Sequence, residues 1–256
     1  VARIIPGLFT RTTPFDYDGD GKADVSVFRA SENQWYILRS SDFGVTQAIF
    51  AIAGDIPTPA DFDGDGRTDI AIYRPSSGDW WSLSTINNQQ INFRRGDQQA
   101  GDIPLPSDFD GDGRMDYIVF RPSTNKWLRS SSVGGTPSDR TFGLAGDKPV
   151  IGDFDGDGKS DVAVYRPSDG NWWWWSSLDN IQRATRWGIA TDIPAPTDYD
   201  GDGKTDFAVY RPSTGVWYIY NSATQTSTIG PFGLTGDKPV PADFDGDGKA
   251  DIAVFR

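Results

Sequence analysis

The apolar residues of this chain fall into short runs that are β-branched and aromatic, separated by polar turns. Asp69-Ile-Ala-Ile-Tyr-Arg74, Asp161-Val-Ala-Val-Tyr-Arg166 and Asp206-Phe-Ala-Val-Tyr-Arg211 are three such runs. Their length and side chains predict strands. Each leads into a turn: Pro75-Ser-Ser-Gly78, Pro167-Ser-Asp-Gly170 and Pro212-Ser-Thr-Gly215. Pro presets the first turn residue and Gly accepts a left-handed backbone, so a hairpin follows. A second strand opens on Trp35, Trp80, Trp127, Trp172 and Trp217. A third follows a polar loop, as in Thr46 to Phe50 and Thr226 to Ile229. A Gly-Asp-x-Pro stretch (Gly54 to Pro57, Gly146 to Pro149, Gly236 to Pro239) then leads into a short segment before the next unit. No stretch carries a helical period.

The polar positions repeat more strictly still. The phrase Asp-x-Asp-Gly-Asp-Gly-[Lys/Arg]-x-Asp starts at Asp16, Asp61, Asp108, Asp153, Asp198 and Asp243, at steps of 45, 47, 45, 45 and 45 residues. About four short strands per unit at this period predict an all-β fold, a β-propeller of four-stranded blades. Val1 to Leu8 align with the third long strand of a unit, and the chain stops at Arg256, just after the strand that follows the sixth phrase. The expectation is one propeller domain over 1–256, with the last blade split between 243–256 and 1–8. N- and C-terminal strands would pair and remove the open sheet edges. Six blades is the first reading and seven the second, because the split unit lacks its Trp strand.

Composition narrows the chemistry. Cysteine and histidine are both absent. That excludes disulfides, zinc sites with nitrogen or sulfur ligands, and triads with a His base. The formal charge of −12 argues against nucleic-acid phosphates as partners. No apolar run is long enough to insert in a membrane. Val1 opens without a signal peptide, which reads as a mature fragment. Glu32 is the one glutamate among 36 acidic residues, and 24 of the aspartates lie in the six phrases. Six divalent cations would neutralise the whole formal charge, so the acidity reads as directed at metal.

Within each phrase the carboxylates at positions 1, 3 and 5 would turn inward where Gly lets the backbone curl. Position 1 is Asp16, Asp61, Asp108, Asp153, Asp198 and Asp243. Position 3 is Asp18, Asp63, Asp110, Asp155, Asp200 and Asp245. Position 5 is Asp20, Asp65, Asp112, Asp157, Asp202 and Asp247. The backbone carbonyl at position 7 (Lys22, Arg67, Arg114, Lys159, Lys204, Lys249) can add a ligand. The position-9 Asp (Asp24, Asp69, Asp116, Asp161, Asp206, Asp251) closes the cage. All-oxygen ligation with several carboxylates suits Ca²⁺ better than Mg²⁺, and about six ions are expected. An EF-hand is excluded: its Glu at position 12 is replaced by Val27, Ile72, Val119, Val164, Val209 and Val254. Asp-Gly runs also serve as plain turns. Six copies with every Asp kept count against that, because four unneutralised carboxylates in one loop repel.

These elements together resemble FG-GAP/VCBS-type repeats, and integrin α-subunit propellers carry related loops. The resemblance covers essentially the whole chain. It implies a β-propeller with Ca²⁺ in the loop between the first and second strands of each blade. It also implies an extracellular or cell-surface setting, with a role in adhesion, in recognition, or as a module of a secreted protein. The unit is shorter than an integrin blade, and the first copy lacks Gly-Asp-x-Pro, so the resemblance carries no integrin partner.

The repeated Trp reads as blade packing. The Arg ending each first long strand (Arg29, Arg74, Arg121, Arg166, Arg211, Arg256) reads as a surface or inter-blade partner of the Gly-Asp-x-Pro aspartate. Function is sought where copies differ. In Trp172-Trp-Trp-Trp175, alternation places Trp172 and Trp174 on one face and Trp173 and Trp175 on the other. Elsewhere the Trp174 position holds Ile37, Ser82, Arg129 and Ile219. Trp173, Trp174 and Trp175 are therefore candidate ligand contacts, with packing the competing role. The unit from Asp61 to Ser107 is two residues longer and places Arg94, Arg95, Gln98 and Gln99 near its exit. The leading expectation is a calcium-stabilised binding module for carbohydrate or protein. A structural accessory domain comes second. An enzyme comes last, since no asymmetric pair of carboxylates stands out.

Overall fold

The computed structural model describes residues 13–96 and 101–256. Its first sheet holds β1 (Val25–Arg29), β2 (Gln34–Leu38) and β3 (Val45–Ile49). The second holds β4 (Ile56–Pro57), β5 (Ile70–Arg74), β6 (Asp79–Leu83) and β7 (Gln90–Arg94). The third holds β8 (Ile103–Pro104), β9 (Tyr117–Arg121), β10 (Lys126–Ser130) and β11 (Arg140–Thr141). The fourth holds β12 (Lys148–Gly152), β13 (Asp161–Arg166), β14 (Asn171–Trp175) and β15 (Gln182–Arg186). The fifth holds β16 (Ile193–Pro194), β17 (Phe207–Arg211), β18 (Val216–Tyr220) and β19 (Ser227–Pro231). A two-stranded sheet of β20 (Lys238–Pro239) and β21 (Val254–Phe255) follows. Within each sheet, sequence neighbours pair antiparallel, and the described residues contain no helix. The molecule is an all-β propeller with five blades of three or four strands. At the sixth Asp loop the described residues show two strands. The expected contribution of Val1 to Leu8 lies outside the described residues.

The strands follow from the pattern. In the second blade Arg74 pairs with Asp79, leaving residues 75–78 as the turn. Gly78 closes that turn at φ 74°, while Asn33 and Asn125 take the same place at 54° and 52°. Asn tolerates this region, which explains why two copies manage without Gly. The Trp that opens each third-position strand is fully buried. Its indole N–H donates to a carbonyl fifteen residues on, from Trp172 to Trp187 at 2.7 Å and from Trp217 to Phe232 at 2.9 Å. Each Trp thus ties the middle of a blade to its outer strand.

The core lies between sheets. Phe62, Tyr73 and Trp80 pack with Tyr117 and Val119 of the next blade. Phe154, Trp172 and Trp174 pack with Phe207 and Val209. The rings of Phe154 and Phe207 stack at 4.9 Å. Blade faces therefore supply one another's apolar cover, and no blade has a core of its own.

The Arg–Asp pairing corrects one expectation. Arg74–Asp55, Arg121–Asp102, Arg166–Asp147, Arg211–Asp192 and Arg256–Asp237 are two-pronged pairs at 2.8–3.0 Å. Each lies within a single sheet, with the carboxylate buried. The reason is topological: each Asp immediately precedes the first strand, and each Arg ends, or in Arg256 directly follows, the strand hydrogen-bonded to it. Arg29 has Thr10 at the corresponding distance and binds the exposed Glu32 instead.

Candidate metal centres

Each Asp loop is an excursion between the first two strands of a unit. In the second blade Ala60 bridges Asp69 across the loop base. Asp61 anchors the loop: its two oxygens accept the N–H groups of Gly64 (2.6 Å) and Gly66 (2.9 Å). Both glycines sit at positive φ, 79° and 88°, which turns the intervening amides toward one carboxylate. Asp63 accepts the N–H of Asp65, and Asp65 accepts that of Arg67. Asp69 accepts the N–H of Phe62 on one oxygen and that of Thr85 on the other, both at 2.9 Å. The other loops repeat this scheme, the sixth included, where Gly246, Gly248 and Phe244 donate to Asp243 and Asp251.

The result gathers carboxylates. Asp16, Asp18 and Asp24 each offer an oxygen within 4.8 Å of the other two. So do Asp61, Asp63 and Asp69, then Asp108, Asp110 and Asp116. Asp153, Asp155 and Asp161, and Asp198, Asp200 and Asp206, continue the series of positions 1, 3 and 9. Such clusters could hold metal ions. The electrostatics fit a cation. Burial, followed by the neighbouring charges, pushes Asp69 and Asp116 up to about 7 and Asp161 up to about 6. Asp16, Asp61, Asp108, Asp153 and Asp206 are also raised, again by burial first. A proton or a cation relieves that cost, and an all-oxygen donor set favours a hard cation.

The position-5 carboxylates Asp20, Asp65, Asp112, Asp157, Asp202 and Asp247 stand outside the five trios. Each accepts the N–H of position 7. The position-7 side chains lie against the preceding loop, where Arg114 crowds Gly64 and Lys22 crowds Gly246.

A further set of contacts escaped the sequence reading. The residues just after the Trp strand fold over the Asp loop and donate to it. Ser41 Oγ reaches Asp18 at 2.6 Å, Ser84 Oγ reaches Asp63 at 2.6 Å and Ser176 Oγ reaches Asp155 at 2.5 Å. Ser40, Thr85 and Ser222 hydroxyls reach Asp20, Asp65 and Asp202 at 2.8–2.9 Å. The available signal was a small hydroxyl pair at that place: Ser40-Ser41, Ser84-Thr85, Ser131-Ser132 and Ser176-Ser177.

The loops also join one another. The position-8 N–H of each donates to the position-1 carbonyl of the loop before it. Thr68 donates to Asp16, Met115 to Asp61, Ser160 to Asp108, Thr205 to Asp153 and Ala250 to Asp198, at 2.6–2.8 Å. Ala23 donates to Asp243 at 2.7 Å and completes the circle. Six acidic loops thus form one closed hydrogen-bonded ring.

The tryptophan candidates divide. Trp174 is buried against Phe154 and Phe207. Trp173 and Trp175 are half-buried on the opposite face, under the guanidinium groups of Arg166 and Arg140. Arg94 is exposed and lies 4.0 Å from Asp79, and Arg95 pairs with Asp139. Gln98 and Gln99 lie outside the described residues.

Residues 16–72, 108–164 and 198–254 match the model of the FG-GAP-like repeat family, together more than half of the chain. The chain belongs to the FG-GAP-like repeat family. Each matched FG-GAP-like segment begins on one Asp loop and ends in the strand after the next, so all six loops fall inside the matches. No curated protein matches the sequence significantly. Among solved structures, an Agrocybe aegerita lectin that recognises non-reducing terminal N-acetylglucosamine is similar at 17% identity and a TM-score of 0.61, over 93% of this chain and 72% of the lectin. Virginiamycin B lyase from Staphylococcus aureus is similar at 9% identity and a TM-score of 0.58, over 99% of this chain and 87% of the lyase. At these identities the likeness shows the fold alone.

Proposed function

We propose that this FG-GAP-like propeller is a calcium-stabilised extracellular binding module for carbohydrate or protein ligands. The observation that carries the reading is the closed ring of six acidic loops, at least five of them with three carboxylates gathered within 4.8 Å. Positions 1, 3, 5 and 9, with the position-7 carbonyl, would hold the ion in each loop. Bound Ca²⁺ would neutralise the loop and fix the hairpin base that carries each blade. Every ion bound to the folded state alone adds about 2.7 kcal/mol at a hundredfold excess over its dissociation constant. We also read the ring as six-bladed, because six loops close it. The sixth blade would be built on β20 and β21.

The recognition half rests on the propeller's likeness to a lectin, and on repeated blades that would let weak sites act together. We read the chain as a non-enzyme, since its aspartates are committed to repeated structural contacts. The use of the repeated Trp and of five Arg–Asp pairs as scaffold favours a second reading, a structural module of a larger secreted protein. A glycan array probed in calcium buffer and again after EDTA separates the two. Calcium-dependent binding to a defined set of glycans supports the binding module. No binding in calcium, by protein with an intact melt, removes the carbohydrate reading.

A further inference from the structure

Two cavities lie between adjacent blades. One lies between the first and second blades, has a volume of about 310 Å³ and is lined by Tyr17, Ile37, Ala48 and Leu83. Arg39 also lines it, but its charge is answered by a two-pronged pair with Asp42 at 2.9 Å. The other lies between the third and fourth blades, has a volume of about 240 Å³ and differs in chemistry. Arg129, Arg140 and Lys159 line it with Ser138, Trp175 and Asn180.

Strand register shows that this is a local departure from the repeat. Arg129 lies two residues after the blade Trp, where other copies have Ile37, Ser82, Trp174 and Ile219. Arg140 lies opposite that Trp, where the others have Ala48, Phe93, Thr185 and Gly230. Both positions become Arg in one blade only, and both face one cavity.

The two guanidinium groups are held without a carboxylate. Arg129 donates from Nε to the Ser138 carbonyl and from Nη2 to its hydroxyl, both at 2.8 Å, over the ring of Phe109. Arg140 lies 4.0 Å above the Trp175 ring and donates to Asn180 Oδ1 at 2.6 Å. Trp175 Nε1 donates to the same oxygen at 2.7 Å, so Asn180 orients both. Asp139, whose charge acts on Arg129, is engaged by Arg95 and Lys126. Neither Arg129 nor Arg140 has an ion pair among the described residues. Burial lowers the proton affinity of both, and the Arg140 charge lowers that of Arg129 further. An anion in the cavity would offset that charge, and planar guanidinium groups with unused N–H donors suit oxyanions.

We propose that the cavity between the third and fourth blades binds an oxyanion, a carboxylate or sulfate group, carried by an acidic saccharide. The oxyanion would lie between Arg129 and Arg140, with the Lys159 ammonium adding charge. The hydroxyls of Ser176 and Ser177, which also line the cavity, already donate to Asp155 and Asp157 of the adjacent Asp loop. The site therefore borders a candidate metal centre and is shaped by it. The saccharide part of this inference rests on the carbohydrate-binding reading above. The oxyanion part does not.

Calorimetric titration of the whole protein in calcium buffer, with sodium glucuronate, glucose and sodium sulfate as probes, tests it. Glucuronate is expected to bind and glucose not to. Arg140→Gln, on a short outer strand, is expected to weaken glucuronate by about tenfold or more while leaving the melt unchanged, as loss of a charged hydrogen bond would. Arg129→Met should do the same, and Arg140→Gln keeps the test valid if that variant misfolds. Free sulfate binding as tightly as glucuronate would support an oxyanion site that reads no sugar. No saturable binding of either anion, or unchanged binding in Arg140→Gln, overturns the proposal. Glycan-array binding to neutral sugars alone would leave the module standing and remove this site.

Discussion

Asp69 accepts hydrogen bonds on both oxygens and is still pushed up to about 7, because burial and the nearby Asp63 outweigh those donors. Asp116 behaves alike. A folded-state value above the unfolded one means that the folded protein binds more protons between about pH 4 and pH 7. In chelating buffer the melting temperature should therefore fall as pH rises through that window. Asp237, held at about 2 mainly by its hydrogen bonds from Arg256, keeps its charge throughout and adds no slope there. Saturating calcium should reverse the trend, since protons then compete with the ion. A chelated melt that rises steadily from about pH 5 to pH 8 would contradict this. The Arg–Asp pairs give a second residue-scale prediction. Arg166→Ala strands the buried Asp147 carboxylate and should cost about 3 kcal/mol. Arg29→Ala breaks an exposed pair with Glu32 and should cost below about 1 kcal/mol. Denaturant melts of both variants check the contrast. Sequence showed these partners and read them as a surface or inter-blade bridge, whereas they lie within one sheet. The even 19-residue spacing was the unused clue, because it joins consecutive strands of one hairpin. Arg129 and Arg140 were not legible as a pair, since their meeting depends on blade register and on Trp175 of the next sheet.

At the scale of the element, the Asp loop and the Trp hairpin were readable because their constraints are local. Gly64 and Gly66 stand where the backbone needs positive φ, and the loop forms around Asp61. Gly66→Ala meets open space and should cost about 1–2 kcal/mol from backbone conformation alone. Gly64→Ala also drives a Cβ to 2.9 Å from Arg114 Nε and should cost more. Equal costs would show that the contact with the neighbouring loop is slack. Trp127→Ala should cost about 3–5 kcal/mol, since the ring is fully buried and its N–H bonds Phe142. Trp175→Ala, half-buried on the opposite face, should cost less than half as much. Comparable losses would contradict the assignment of faces. The hydroxyl donors after the Trp strand were less legible, because Ser and Thr are ordinary loop residues and their target is some twenty residues away in sequence.

The whole molecule is a circle of sheets whose cores lie between neighbours and whose acidic loops bond head to tail. Period and strand content were enough to foresee a propeller. The loop-to-loop hydrogen bonds were not readable, because backbone atoms make them. Their donors are residues as different as Ala23, Thr68, Met115 and Ser160. A linked ring predicts that loops share stability while each holds its own ion. Asp110→Ala should thus remove one bound ion, leave the others and lower the melt, as read by elemental analysis beside calorimetry. Simultaneous loss of all ions would instead make the ring a single metal-dependent unit. The most direct test is calcium stoichiometry on extensively dialysed protein, with a thermal melt before and after EDTA. About six ions per chain and a large fall in melting temperature on chelation are the predicted results. Near-zero calcium with an unchanged melt would show that the Asp loops are turns held by hydrogen bonds alone, and would contradict the metal-built propeller.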